Sequence, residues 1–250
     1  MLVLDPVLVI PAIFAVALGG TLKGATGAGA PVVAVPVLAA LFDVQFAVTV
    51  FVVPNLLTNI WQAWSHRESL LPWQFVGLFA GGGAIGAIVG TYLLAGLPSE
   101  TLSAVMAFFV LGYVAFRLVN RSWVLAYPFA LKISGPVGLI GGALQGATGI
   151  SAPVSITFLN ALKLPRATFI ATISVFFSAM SVTQLERMIA LGLMTQERFI
   201  AGLVATATIL AVMPLGTFLA KSIPPKAFDY LLLGLLTIIA LKILFQVFVA

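Results

Sequence analysis

Hydrophobic residues form ten long runs along the chain, separated by short polar segments. The runs cover roughly residues 6–22, 27–42, 44–64, 73–95, 101–119, 131–147, 152–162, 167–185, 198–220 and 227–248. As α-helices, the runs at 73–95 and 198–220 are long enough to cross a hydrocarbon layer about 30 Å thick. The pattern therefore predicts an all-α integral membrane protein.

Glycine and proline interrupt this pattern twice, at residues 24–31 (GATGAGAP) and 146–153 (GATGISAP). Such residues break a helix, and inside a membrane a break must be buried in protein or line a cavity. The arms of the second pair are about 11–17 residues long, which is short for a full crossing. Two full crossings stay possible, but the lengths favour re-entrant hairpins that enter from opposite faces, with their tips meeting near the midplane.

The two interruptions belong to an internal repeat. Residues 19–32 align with 141–154 at an offset of 122, and ten of the fourteen pairs are identical. At an offset of 126, residues 90–93 (GTYL) resemble 216–219 (GTFL), and four inserted residues in the loop near 186–197 explain the change. The order of these matches predicts a gene duplication.

The duplication predicts an N-terminal repeat over residues 1–122 and a C-terminal repeat over 123–250, in one transmembrane domain. Each repeat would contain a broken helix or hairpin with a Gly-rich tip, plus three spanning helices. Basic residues change side between the repeats, and this predicts two inverted-topology repeats with both termini outside. The loop residues concerned are Arg67 in the first half, Arg117, Arg121 and Lys132 in the stretch that connects the halves, and Lys163, Arg166, Lys221 and Lys226 in the second half.

Composition agrees with a multi-pass protein of the cell membrane, and a bacterial plasma membrane is expected. Of the residues, 62% are hydrophobic and 8% charged, against about 25% charged in soluble proteins. The net charge of +5 lies in short loops typical of cytoplasmic loops, so the lipid bilayer and not nucleic acid is the expected partner. With no cysteine and one histidine, no enzyme, metal site or cofactor is predicted. A homo-oligomer stays possible.

The interruptions are candidate anion sites. Pro31 and Pro153 suit the first turn of a returning helix, whose free amides and positive dipole end favour anions. Glycines would let the backbone approach a ligand, Ser151 would help cap one helix, and Lys23 would add charge. The alternative is that Lys23 snorkels and the glycines only allow close helix packing.

Acidic residues lie only at the ends of the hydrophobic runs or in loops, and their absence from the spans argues against a cation substrate. They are Asp5, Asp43, Glu68, Glu100, Glu186, Glu197 and Asp229. Neutral polar residues do occur inside the spans, where they either line a cavity or join helices. Together with the tips, they give the predicted substrate-binding residues: Lys23, Gly24, Thr26, Gly27, Asn59, Gln62, Gln145, Gly146, Thr148, Gly149, Ser151 and Gln184.

Two copies of the motif GGxLxGATGxxAPV in a chain of 250 residues resemble the sulfite exporter TauE/SafE family over essentially the whole chain. The resemblance implies a secondary transporter that exports a sulfur-containing oxyanion, such as sulfite or an organosulfonate, by alternating access. An anion channel with a fixed central filter is the alternative. The tips also differ, because Gln145 replaces Lys23 and Ser151 replaces Gly29, so an asymmetric site is expected.

Overall fold

The computed structural model describes residues 6–119, 123–222 and 225–248, and these residues form ten α-helices, a short 3-10 turn and no strand. The helices are α1 (Pro6–Thr26), α2 (Ala30–Leu41), α3 (Val44–Ser65), α4 (Trp73–Gly96), α5 (Ser99–Val119), α6 (Tyr127–Thr148), α7 (Ala152–Ala161), α8 (Arg166–Ala190), α9 (Gln196–Ser222) and α10 (Pro225–Phe248). Each hydrophobic run has its helix, which confirms the all-α prediction. Asp5, Arg121 and the side chains of Lys221, Lys226 and Asp229 lie outside the described part.

Among the described residues, six helices are long and apolar enough to cross a membrane, namely α1, α3, α4, α5, α8 and α9. The arms of the two broken pairs are unequal. Helices α1 and α6 have 21 and 22 residues, whereas the returning helices α2 and α7 have 12 and 10. The predicted length of the outgoing arm of the second pair was too short, since α6 begins four residues before the predicted start at residue 131.

Both breaks have the same local cause. Helix α1 ends at Thr26 and is followed by Gly27 with φ 83°, and α6 ends at Thr148 and is followed by Gly149 with φ 73°. This left-handed conformation stops a helix and favours glycine. A proline then lies in the first turn of α2 and of α7, as predicted, because proline needs no hydrogen-bond acceptor there.

Helices pack across the two halves of the chain. Helix α1 packs against α9, and α4 packs against α6. A side-chain carbon at Gly24 would overlap the carbonyl oxygen of Met213, and one at Gly146 would come within 2.5 Å of that of Ala87. Gly24 and Gly146 are repeat partners at an offset of 122, and Ala87 and Met213 at 126, so the same close contact is built twice.

The central pair of helices, α3 and α8, runs antiparallel. Asn55 donates a hydrogen bond to Ser181 at 3.0 Å, and the backbone amide of Leu71, just beyond α3, lies 3.5 Å from the hydroxyl of Thr172 near the start of α8. Helices α3 and α8 are repeat partners in the sequence. Their opposite directions support the proposal that the two repeats are inverted.

Candidate functional site

A chain of buried polar side chains crosses the interface between the two halves. Lys23 Nζ donates to Asn59 Oδ1 at 2.8 Å, Asn59 Nδ2 donates to Asn55 Oδ1 at 2.9 Å, and Asn55 Nδ2 donates to Ser181 Oγ at 3.0 Å. We call these four residues the polar chain. It links α1 and α3 of the first half to α8 of the second.

Lys23 lies in the last turn of α1, and its side chain is 1% exposed. In the described part of the chain, no carboxylate forms an ion pair with it. An ammonium group has three donors, and only the bond to Asn59 uses one of them. A charged Lys23 would thus have two donors and a positive charge left for a ligand, because a buried cation requires a partner.

The hydrogen bonds of Asn59 determine which of its side-chain atoms faces Lys23. Its Nδ2 donates to both the backbone oxygen of Asn55, at 2.6 Å, and the side-chain oxygen of Asn55. Of the two side-chain amide atoms of asparagine, only the nitrogen can donate. Oδ1 of Asn59 must therefore face Lys23 as an acceptor.

The corresponding residues of the second half carry no charge. Gln145 occupies the position of Lys23 and is buried, as is Gln184, the counterpart of Gln62. Gln184 Nε2 donates to the backbone oxygens of Gln145 and Gly146, at 3.3 and 3.4 Å. These carbonyls belong to the last turn of α6. The oxygen of Gln145 also accepts from the backbone amide of Gly149 at 2.8 Å, so Gln184 caps that helix together with Gly149.

Three amide oxygens in this region are buried and unpaired. They are the Oε1 atoms of Gln62, Gln145 and Gln184, none of which has a hydrogen-bond partner among the described residues. Buried acceptors are normally satisfied. Water or a donor group on a ligand would satisfy them.

The tips do not meet near the midplane as predicted. A side-chain carbon at Gly27 would overlap Ile170, one turn into α8, and one at Gly149 would lie 3.1 Å from Val48, one turn into α3. Since α3 and α8 are antiparallel, their first turns lie at opposite ends of the pair. The long arms α1 and α6 carry the tips past the centre, and the polar chain lies between them.

The remaining tip residues bind their own helices. Thr26 is exposed and donates to the oxygen of Leu22, whereas Thr148 is buried and donates to that of Leu144. Ser151 was expected to cap α7. It stands at the cap position, but its hydroxyl lies 2.9 Å from that of Ser155, and it makes no capping hydrogen bond.

Three residues of this region were not among the predicted site residues. Asn55 lies one helical turn before Asn59, and Ser181 is the repeat partner of Asn59, so spacing and repeat offset were signals for both. Arg166, which the sequence marks only as a loop charge, donates from Nη2 to the backbone oxygens of Gly24, at 3.3 Å, and Ala25, at 3.0 Å.

A separate cavity of about 550 Å³ lies between α5, α6 and α7. Its walls are aromatic and aliphatic side chains, including Phe108, Phe116 and Phe158, and the polar chain does not line it. Such an apolar surface does not suit a small anion.

A family model described as Sulfite exporter TauE/SafE matches residues 12–243. The match contains both tips and the whole polar chain. Comparison with curated proteins and with solved structures gave no match.

Proposed function

Because the chain belongs to the sulfite exporter TauE/SafE family, we propose that it exports sulfite or an organosulfonate by alternating access. The family is one of membrane transporters of sulfur-containing anions, and the six long apolar helices agree with a multi-pass membrane protein.

The observation that carries the proposal is a buried lysine that has no ion pair among the described residues. Lys23 is buried among apolar helices, donates to the neutral acceptor Asn59, and forms no ion pair within the described residues. A charge in this position is costly and usually faces a ligand or a cavity. A small oxyanion would supply the counter-charge and accept the two remaining donors of the ammonium group.

Contacts between the halves support a carrier. Asn55 binds Ser181, and Arg166 binds the end of α1, so hydrogen bonds join the halves on either side of Lys23. In an alternating-access carrier with inverted repeats, one half rocks against the other around a fixed site. These contacts would break and re-form during each cycle.

Flux into vesicles tests the proposal. Purified protein in liposomes would be offered sulfite, thiosulfate, sulfoacetate, taurine and chloride, with empty liposomes as the control. We expect saturable uptake of a sulfur-containing anion that is accelerated by the same anion on the other side. Conductance far above carrier rates would instead establish the channel, and no anion flux would refute the proposal.

Cysteine labelling tests the inverted repeat, and the chain offers a clean background because it has no cysteine. Arg67 follows the end of α3, and Arg187 lies in the last turn of α8. We expect Arg67→Cys and Arg187→Cys to react with an impermeant maleimide from opposite faces of the membrane. Reaction from one face would exclude the inversion.

A further inference from the structure

Arg166 connects the start of α8 with the first tip, although the two segments are about 140 residues apart in the chain. The residue is exposed, and its Nη2 donates to the carbonyl oxygens of Gly24 and Ala25. Gly24 directly follows Lys23. The guanidinium group therefore lies within one residue of the backbone that carries the buried lysine.

The contact leaves much of the guanidinium group unused. A guanidinium has five N–H donors in a planar fork, and Nε and Nη1 have no hydrogen-bond partner among the described residues. The carbonyls that bind Nη2 hold the group in place at the end of α1, where helical partners are missing. A fixed, exposed fork of this kind matches two oxygens of an oxyanion.

The second tip has no equivalent. The repeat partner of Arg166 is Val44, which is buried, and the last carbonyls of α6 are capped by the buried amide of Gln184 instead. Thr26 at the first tip is exposed, whereas Thr148 at the second is buried. Of the two tips, only the first thus has both an exposed residue, Thr26, and a cationic side chain, Arg166, beside it.

We propose that Arg166 captures the substrate oxyanion at the exposed first tip and selects it over chloride, before the anion passes to Lys23. This inference rests on the proposed function. The selectivity follows from geometry, because a guanidinium can bind two oxygens of sulfite or a sulfonate at once, whereas chloride offers one acceptor. The capture step acts on the face of the membrane where α8 begins.

The test compares Arg166→Gln and Arg166→Lys with Lys163→Asn. Lys163 is exposed in the same loop but does not contact the tip, and asparagine tolerates its φ of 51°. In liposomes, we expect Arg166→Gln to raise the KM for sulfite about tenfold, the effect of one charged hydrogen bond. Arg166→Lys should keep the charge but lose selectivity over chloride, and Lys163→Asn should leave both unchanged.

Thermal unfolding separates capture from a purely structural role, since Arg166 also caps α1. If Arg166→Gln lowers only the unfolding temperature, and the ratio of sulfite to chloride KM stays that of the wild type, the inference is wrong. An equal effect of Lys163→Asn would also overturn it, because general charge attraction would then explain capture. Wild-type protein that transports no anion would refute the proposed function as well.

Discussion

The two tips are built from nearly the same sequence but have different surroundings. Both follow a long helix with a left-handed glycine, at φ 83° for Gly27 and 73° for Gly149, and both continue with a proline in the next helix. The first tip follows a buried lysine and is capped by the exposed Arg166. At the second, Gln145 stands at the lysine's position and Gln184 caps the helix.

This difference separates two roles that the motif seemed to combine. The repeated glycines end both outgoing helices in the same way, and those at 24 and 146 allow contact with a facing helix. Positive charge is a separate feature, present only at the first tip. We therefore expect the hairpins to be equivalent in folding and unequal in anion binding.

The prediction with the largest expected effect tests whether the two hairpins contribute equally to folding. Gly24→Ala and Gly146→Ala each place a carbon against a backbone carbonyl of α9 or α4, and each should cost about 3 kcal/mol of stability because backbone cannot yield easily. Thermal unfolding in detergent measures the loss. Gly81→Ala is the control, since nothing lies within 4 Å of the added carbon. A loss of stability in only one of the two variants would show that the close contact at Gly24 is not repeated at Gly146.

The next prediction tests whether the two tips differ in anion binding. Lys23→Gln makes the two tips alike and should weaken binding of the transported anion by about 1–3 kcal/mol, the size of a charged hydrogen bond left unmade. Isothermal calorimetry with sulfite measures it, with the exposed Lys132→Gln as the control. Unchanged affinity in folded Lys23→Gln would show that the site lies elsewhere.

A double variant sharpens this result. In Lys23→Gln with Gln145→Lys, the lysine moves to the second half, where Ser181 and not an asparagine occupies the position of Asn59. We expect only partial recovery of affinity, because the amide acceptor that orients Lys23 is missing there. Full recovery would mean that the charge alone matters and the polar chain does not.

A smaller effect concerns Gly29 and its repeat partner Ser151, where the backbones of the two tips differ. Gly29 has φ 106°, whereas its partner Ser151 has φ −108°. Gly29→Ser should cost about 1–2 kcal/mol, because a side chain is strained in that conformation. Ser151→Gly should cost less, about 0.5–1 kcal/mol. Thermal unfolding of both variants is the measurement, and equal losses would contradict the difference in backbone.

Most of the fold could be predicted from the sequence, because helix length and hydrophobicity decide a membrane span almost locally. The breaks were also readable, since glycine and proline act on their own backbone. The positions of the two tips relative to α3 and α8 could not be predicted. They depend on how far α1 and α6 extend before they turn, and α6 begins at Tyr127, earlier than its hydrophobic run suggested.

The candidate site was partly predictable. Lys23 was identified as a charge at the first tip, Asn59 and Gln184 were identified as polar residues within apolar runs, and all three are buried. Their partners depend on packing across the halves, which no local pattern contains. Arg166 illustrates this, because its role at the first tip follows only from the contact between α8 and the end of α1.

The last prediction concerns the link between the halves, the hydrogen bond from Asn55 to Ser181. Asn55→Ala and Ser181→Ala would each destabilise the protein, but their losses should not add. The coupling should be about 1 kcal/mol, the net worth of a buried hydrogen bond, measured by a double-mutant cycle in denaturant unfolding. Asn55→Ala combined with Ser155→Ala is the control, since the buried Ser155 binds Ser151 and not Asn55. That pair should be additive. If the Asn55 and Ser181 losses were also additive, the polar chain would end at Asn55, and it would not couple the two halves.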